Sequence, residues 1–237
     1  TTNGDCAIGL HVVLTAPFHP LTLHLRPLHG GLFPPLPAML RLALLRQIDA
    51  EIVRAEVAAQ LGAFRLRFGQ APDYIDGHQH VQLFPKIRDG VIAAMKDAAP
   101  GAWLRQCGEP SSLADQLRNP KALLLNRLSA GLRRRAAAAG IATNPAFSGA
   151  YDFAQAGDFL PLLRGFIARM PDGGLVMCHP GFVDEALRAL DPLTDQRQRE
   201  YEALSGDAFL QLLADDNVSL ARPPRARRHG DLSHTEI

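Results

Sequence analysis

The stretch Asp76-Gly77-His78-Gln79-His80 sets two imidazoles two positions apart and a carboxylate two positions before them. On an extended chain, residues at i and i+2 project to the same side. Neutral imidazole is a common metal ligand, and a nearby carboxylate can hold its other ring nitrogen and fix the tautomer. Asp76 is placed for that orienting role, or to bind metal or water itself. Gly77 allows close approach of the backbone to a ligand. The plain alternative is a polar loop with solvent-facing histidines, since the chain has nine of them.

Other side chains could join such chemistry, each with an ordinary reading beside it. His11 lies in the apolar run IGLHVVLT. A polar group there costs free energy unless it is paired, so His11 is either a satisfied core residue or a ligand. His179 precedes Pro180-Gly181; it is a general acid or base near neutral pH, or a turn residue after a strand. Arg105 ends the run AWLR and would contact substrate, orient a carboxylate or form a surface salt bridge. Trp103 reads as core before it reads as a sugar platform. Asp215-Asp216 and Arg133–Arg135 read as solvated helix ends.

The elements that position these groups follow from periodicity. Cys6–Thr15, Asp73–Asp76, Ala102–Arg105, Gly174–Cys178 and Val218–Ala221 are short apolar runs that read as strands. Helices are expected over Ala38–Phe68, from Phe84-Pro85 onward, and over Pro120–Gly140, Phe153–Met170 and Arg197–Ala214. Gly69 supplies a helix stop. The stretch Ala16–Pro37 is dense in Pro, Gly and His and reads as a long functional loop. This alternation argues for an α/β fold with a mainly parallel sheet or a barrel, in which ligands gather at the C-terminal ends of strands. His11, His78 with His80, and His179 all fall at such ends.

Composition narrows the class. A net charge of +1 gives no reason to expect a nucleic-acid partner. No apolar run reaches the roughly 18 residues a membrane span needs. Three widely spaced cysteines point to a reducing, cytoplasmic setting without disulfides. A homo-oligomer is left open. Residues 1–221 read as one domain and residues 222–237, rich in Arg and poor in apolar groups, as a disordered tail.

Three ordered motifs resemble the YdjC-like (ChbG/HpnK) carbohydrate deacetylases: Gly9-Leu10-His11, Asp76-Gly77-His78-Gln79-His80 followed by Val81 to Pro85, and Cys178-His179-Pro180-Gly181. Glu51, Gln60, Phe64 and Phe147-Ser148-Gly149 also look like that family. The resemblance spans roughly residues 5 to 223 and implies a distorted (β/α) barrel related to NodB-type polysaccharide deacetylases. It implies a divalent metal, Mg or Zn, with His11 and His78 among its ligands. His179 and Asp76 would be catalytic, with His80 and Arg105 near the substrate or supporting the site. The implied substrate is an N-acetylated sugar, a chitooligosaccharide or a hopanoid-linked N-acetylglucosamine. Family members also carry an Asp-Asp strand before the Gly-Leu-His strand. This chain has no counterpart to it, and Asp5 precedes the wrong strand. Either the chain is an N-terminal truncation or the barrel lacks its first strand, and then it would bind sugar or metal without turnover.

Overall fold

The computed structural model describes residues 6–110, 117–153, 157–191 and 194–221. These divide into two compact units. One comprises the chain up to Cys107 together with Pro120–Asn144; the other comprises Gly108–Asn119 and Pro145–Ala221. The tail beyond residue 221 lies outside the described residues.

The first unit is built on strands β1 (Gly9–Val12), β2 (Tyr74–Gly77) and β3 (Trp103–Leu104), all parallel and in the order β1-β2-β3. Beyond β3, Leu104 bridges Thr143 in parallel. The register pairs His11 with Asp76 and Ile75 with Leu104, so His11, Asp76 and Arg105 form one row across neighbouring strands. The second unit holds a parallel pair, β4 (Phe147–Ser148) and β5 (Leu175–Val176). The α/β class and the parallel pairing are as expected, but among the described residues neither sheet closes into a barrel. Val218–Ala221 forms no strand.

The expected helix over Ala38–Phe68 is two helices, α1 (Leu36–Leu44) and α2 (Ala50–Phe68). Arg46 takes a left-handed φ of 57°, and the Asp49 carboxylate then caps the new helix by accepting from the Glu51 N–H at 2.9 Å. Leu45 is left exposed at the break. Gly69 ends α2 in the left-handed conformation, φ 71°, as its type predicts.

Val53, Val57, Leu61 and Phe64 of α2 recur at steps of three and four and are buried. They face the core with Ile87, Val91 and Met95 of α3 (Ile87–Ala98). At Gly90 the two helices approach so closely that a β-carbon would lie 2.6 Å from the Ala50 carbonyl and 2.8 Å from Val53. Helix α4 (Pro120–Ala138) completes this unit, and its Arg135 reaches Asp89 of α3 at 3.7 Å.

Among the described residues of the second unit, four helices follow: α5 (Phe159–Ile167), α6 (Glu185–Leu190), α7 (Asp195–Ser205) and α8 (Asp207–Asp215). The single helix expected over Arg197–Ala214 is interrupted at Gly206, whose extended backbone (ψ 157°) separates α7 from α8. Asp215 and Asp216, expected to be solvated, pair with Arg164 of α5 at 3.5 and 2.9 Å.

The long loop after β1 is held without regular structure of its own. Glu56 of α2 is fully buried and accepts hydrogen bonds from the Leu21 N–H (3.0 Å), the Thr22 N–H (2.9 Å) and the Thr22 hydroxyl (2.7 Å). Gln60, one turn on, donates to Glu56 at 3.0 Å and to the Val13 carbonyl at 2.8 Å, and accepts from the Val13 N–H at 3.1 Å. The loop is thus fastened to α2 at its root and near its middle.

Candidate active site

The row at the C-terminal edge of the first sheet is a connected hydrogen-bond system. His11 Nδ1 lies 2.7 Å from Asp76 Oδ1. A carboxylate only accepts, so Nδ1 carries the proton and Nε2 presents its lone pair outward. His11 is 51% exposed, so of its two readings the buried core histidine is the one that fails. The second Asp76 oxygen takes Arg105 Nη1 at 2.7 Å, with the guanidinium side chain only 6% exposed. Arg105 Nη2 donates to the Gly77 carbonyl at 3.0 Å. Of the alternatives for Arg105, orienting a carboxylate is the one the geometry realises. Burial pushes the Asp76 carboxyl up, but the His11 hydrogen bond and the positive field of Arg105 outweigh it and hold it below the ordinary carboxylate value. Asp76 is therefore ionised and clamped from both sides.

His78 begins a 3-10 turn (His78–Leu83) rather than continuing an extended strand. Its ring stands edge-on to His11 with centroids 5.6 Å apart, and edge-on to Phe18 of the long loop at 5.9 Å. The expectation that His78 and His80 project to one side does not hold. Gln79 and His80 both adopt left-handed backbone, φ 52° and 61°, which breaks the alternation of an extended chain. His80 Nδ1 lies 3.4 Å from Arg105 Nη2 and 3.4 Å from Cys107 Sγ. A guanidinium can only donate, so this nitrogen accepts and the ring proton sits on Nε2. His80 thus supports Arg105, while His78 sits beside His11.

Gly77 is required for packing: a β-carbon there would stand 2.5 Å from Gln82 Oε1 and 3.1 Å from the Gln82 N–H. Gln82 and Cys107 were not foreseen. Gln82 is fully buried, and its amide nitrogen donates to the Arg105 carbonyl at 3.1 Å and lies 3.5 Å from Cys107 Sγ. Burial pushes the Cys107 thiol up to about 12, so it is a protonated wall of the site and no nucleophile. A polar glutamine five residues after the glycine is the one visible signal, and it reads equally as a surface residue.

His11 and His78 offer two imidazoles, one of them oriented by a carboxylate in the manner usual for metal-binding histidine. Among the described residues, no group of three or more His, Cys, Asp or Glu side chains gathers with metal-binding geometry. The fit is therefore to two positions of a metal site.

His179 lies in the second unit, three residues beyond the end of β5. Its backbone N–H donates to Glu200 Oε2, and the Tyr151 hydroxyl donates to Glu200 Oε1. Phe153 stands edge-on to its ring, centroids 5.4 Å apart. Gly149, φ 100°, makes room for the start of this turn, since a β-carbon would meet the Met177 carbonyl at 2.1 Å.

Comparison with known proteins decides the family. The model of the "YdjC-like protein" family matches residues 1–215. The chain belongs to the YdjC-like family. A relative from Proteus mirabilis (strain HI4320), named chitooligosaccharide deacetylase, is 26% identical over 226 residues, covering 90% of this chain and 75% of its own. The crystal structure of a protein named for cellobiose-phosphate cleavage, from Enterococcus faecalis V583, superposes with a TM-score of 0.67 at 21% identity. It covers 91% of this chain and 76% of that one, and supports the fold alone. No helix among the described residues is long and apolar enough to cross a membrane.

Proposed function

We propose that this YdjC-like chain hydrolyses the N-acetyl group of an amino sugar, a chitooligosaccharide or a hopanoid-linked N-acetylglucosamine, to give the free amine and acetate. The observation that carries the reading is the His11–Asp76–Arg105 row with His78 beside it. Membership of the family, and a relative named for chitooligosaccharide deacetylation, give it its substrate class. The reading places the site on a fold derived from the NodB-type barrel and in a reducing cytoplasm, consistent with three cysteines that form no disulfide.

In this reading His11 Nε2 and His78 hold a divalent cation, Mg²⁺ or Zn²⁺, whose remaining positions go to water, substrate or a further residue. Such a cation would supply Lewis-acid polarisation of the acetamide carbonyl and a lowered pKa for a water, whose proton would pass to a carboxylate base as it attacks. Asp76 keeps His11 in the Nδ1–H tautomer and lends its charge to the ring. Arg105 fixes Asp76 and, with His80 and Gln82, keeps that carboxylate from rotating. His179 protonates the departing amine as general acid.

The test is acetate release from N,N′-diacetylchitobiose with Mg²⁺ or Zn²⁺ added, in wild type and His78→Ala. Metal-dependent release lost in His78→Ala supports the proposal. Unchanged metal affinity in His78→Ala would remove His78 from the ligand set. Sugar or metal binding with no release from any N-acetyl sugar would overturn the hydrolase reading in favour of a non-catalytic binding role.

A further inference from the structure

The turn Cys178-His179-Pro180-Gly181 is fastened to α7 by its backbone. Proline has no N–H, and the two N–H groups flanking it both go to this helix. His179 donates to Glu200 Oε2, and Gly181 donates to the Arg197 carbonyl at 3.1 Å. Arg197 is itself tied at 2.7 Å to Asp191, just before α7. Glu200 is fully buried, a costly place for a carboxylate unless donors surround it. Its second oxygen takes the Tyr151 hydroxyl. Tyr151 packs at 4.5 Å against Phe153, the ring that stands edge-on to His179. One buried side chain therefore grips the backbone of the residue that bears the imidazole and, through Tyr151, the aromatic wall beside it.

We infer that Glu200 is a positioning residue for His179: as a hydrogen-bond acceptor it pins the turn to α7 and so fixes where the imidazole is presented. The inference rests on the reading of His179 as general acid. The role needs an acceptor at Glu200, not a charge. Glu200→Gln keeps a carbonyl for the His179 N–H, and its amide can donate to the Tyr151 oxygen. Glu200→Ala removes both contacts. Tyr151→Phe removes only the second.

The experiment combines kinetics on diacetylchitobiose with added Mg²⁺ or Zn²⁺ and amide hydrogen exchange on the full chain. Glu200→Ala is expected to lower kcat about 10–100-fold with KM within about two-fold, the size of loss that a small misplacement causes. Glu200→Gln is expected to restore kcat to within about three-fold of wild type, and Tyr151→Phe to fall between. The double variant His179→Ala/Glu200→Ala should be no slower than His179→Ala alone, because both act through one group. Exchange of the His179 amide should rise at least about ten-fold in Glu200→Ala while that of Gly181 rises less. If Glu200→Ala does not fold, Glu200→Asp, one methylene shorter and still charged, takes its place with the same expectations. Multiplying losses in the double variant, equal losses in Glu200→Gln and Glu200→Ala, or an unchanged His179 amide would each overturn the inference. If wild type releases no acetate, the proposed function fails, while the amide exchange still decides the positioning.

Discussion

Replacing Asp76 by Asn changes almost no volume but removes the charge between His11 and Arg105. Arg105 is then a guanidinium at 6% exposure without its carboxylate. With charge centres about 4 Å apart, the attraction is on the order of 4 kcal/mol at an effective dielectric near 20. That roughly offsets what it costs to bury the two ions, so the intact pair adds little net stability. Removing one partner leaves the desolvation of the other uncompensated, which costs about 3–5 kcal/mol. This is a large share of the ~5–15 kcal/mol that holds a typical domain folded. Trp103, the chain's only tryptophan, lies in β3 two residues from Arg105 and stacks on Tyr74 at 4.8 Å, so its fluorescence in urea reports the unfolding of this unit. Arg105→Met and the double variant complete a cycle, with an expected coupling of about 1–3 kcal/mol. The pH dependence has a defined sign. The folded pKa of Asp76 is depressed, so its contribution is fully present above the unfolded value, about 3.9. It is lost as pH falls through the folded value below that, and Asp76→Asn flattens that part of the curve. A cost below about 1 kcal/mol for Asp76→Asn, with no coupling to Arg105→Met, would refute the clamp.

Four further outcomes follow from other parts of the structure. Glu56→Ala takes the acceptor from the part-buried Leu21 and Thr22 donors, so it should cost about 1–3 kcal/mol and open the Thr22 amide to hydrogen exchange. Gly62→Ala in α2 meets nothing within 4 Å and should stabilise by about 0.5–1 kcal/mol. Gly90→Ala drives a methyl into Val53 and should destabilise by about 1–3 kcal/mol despite the same helical gain, both read in urea. Iodoacetamide at pH 8 should label exposed Cys6 readily and leave Cys107 untouched until the protein unfolds, read by mass spectrometry.

What could be seen in the sequence was local or periodic. Gly69 announces the end of α2 because a left-handed residue is needed there. The apolar steps of α2 announce its buried face, and the β-branched residues of Cys6–Thr15 announce β1. His11 and Asp76 were singled out, but their 2.7 Å contact comes from strand pairing across 65 residues, which no local pattern encodes. The turn of His80 away from His78 depends on two left-handed residues that are not glycine, which residue type does not announce. Glu56 and Glu200 read as ordinary helix-surface glutamates, yet both are fully buried. Their burial is decided by distant backbone N–H groups that need an acceptor.

The pairing of β1 with β2 sets the scale of the site. His11 faces Asp76 because two parallel strands stand side by side in that register, and side chains alternate between the faces of a sheet. The spacing between imidazole and carboxylate is thus inherited from the peptide ladder, not from any loop. Loop sequences around it can drift without moving this contact. A one-residue insertion between β1's start and His11 would swing the ring to the opposite face and seat Leu10 beside Asp76. For this pair, frame within the strand is a stricter constraint than side-chain chemistry at any neighbouring position.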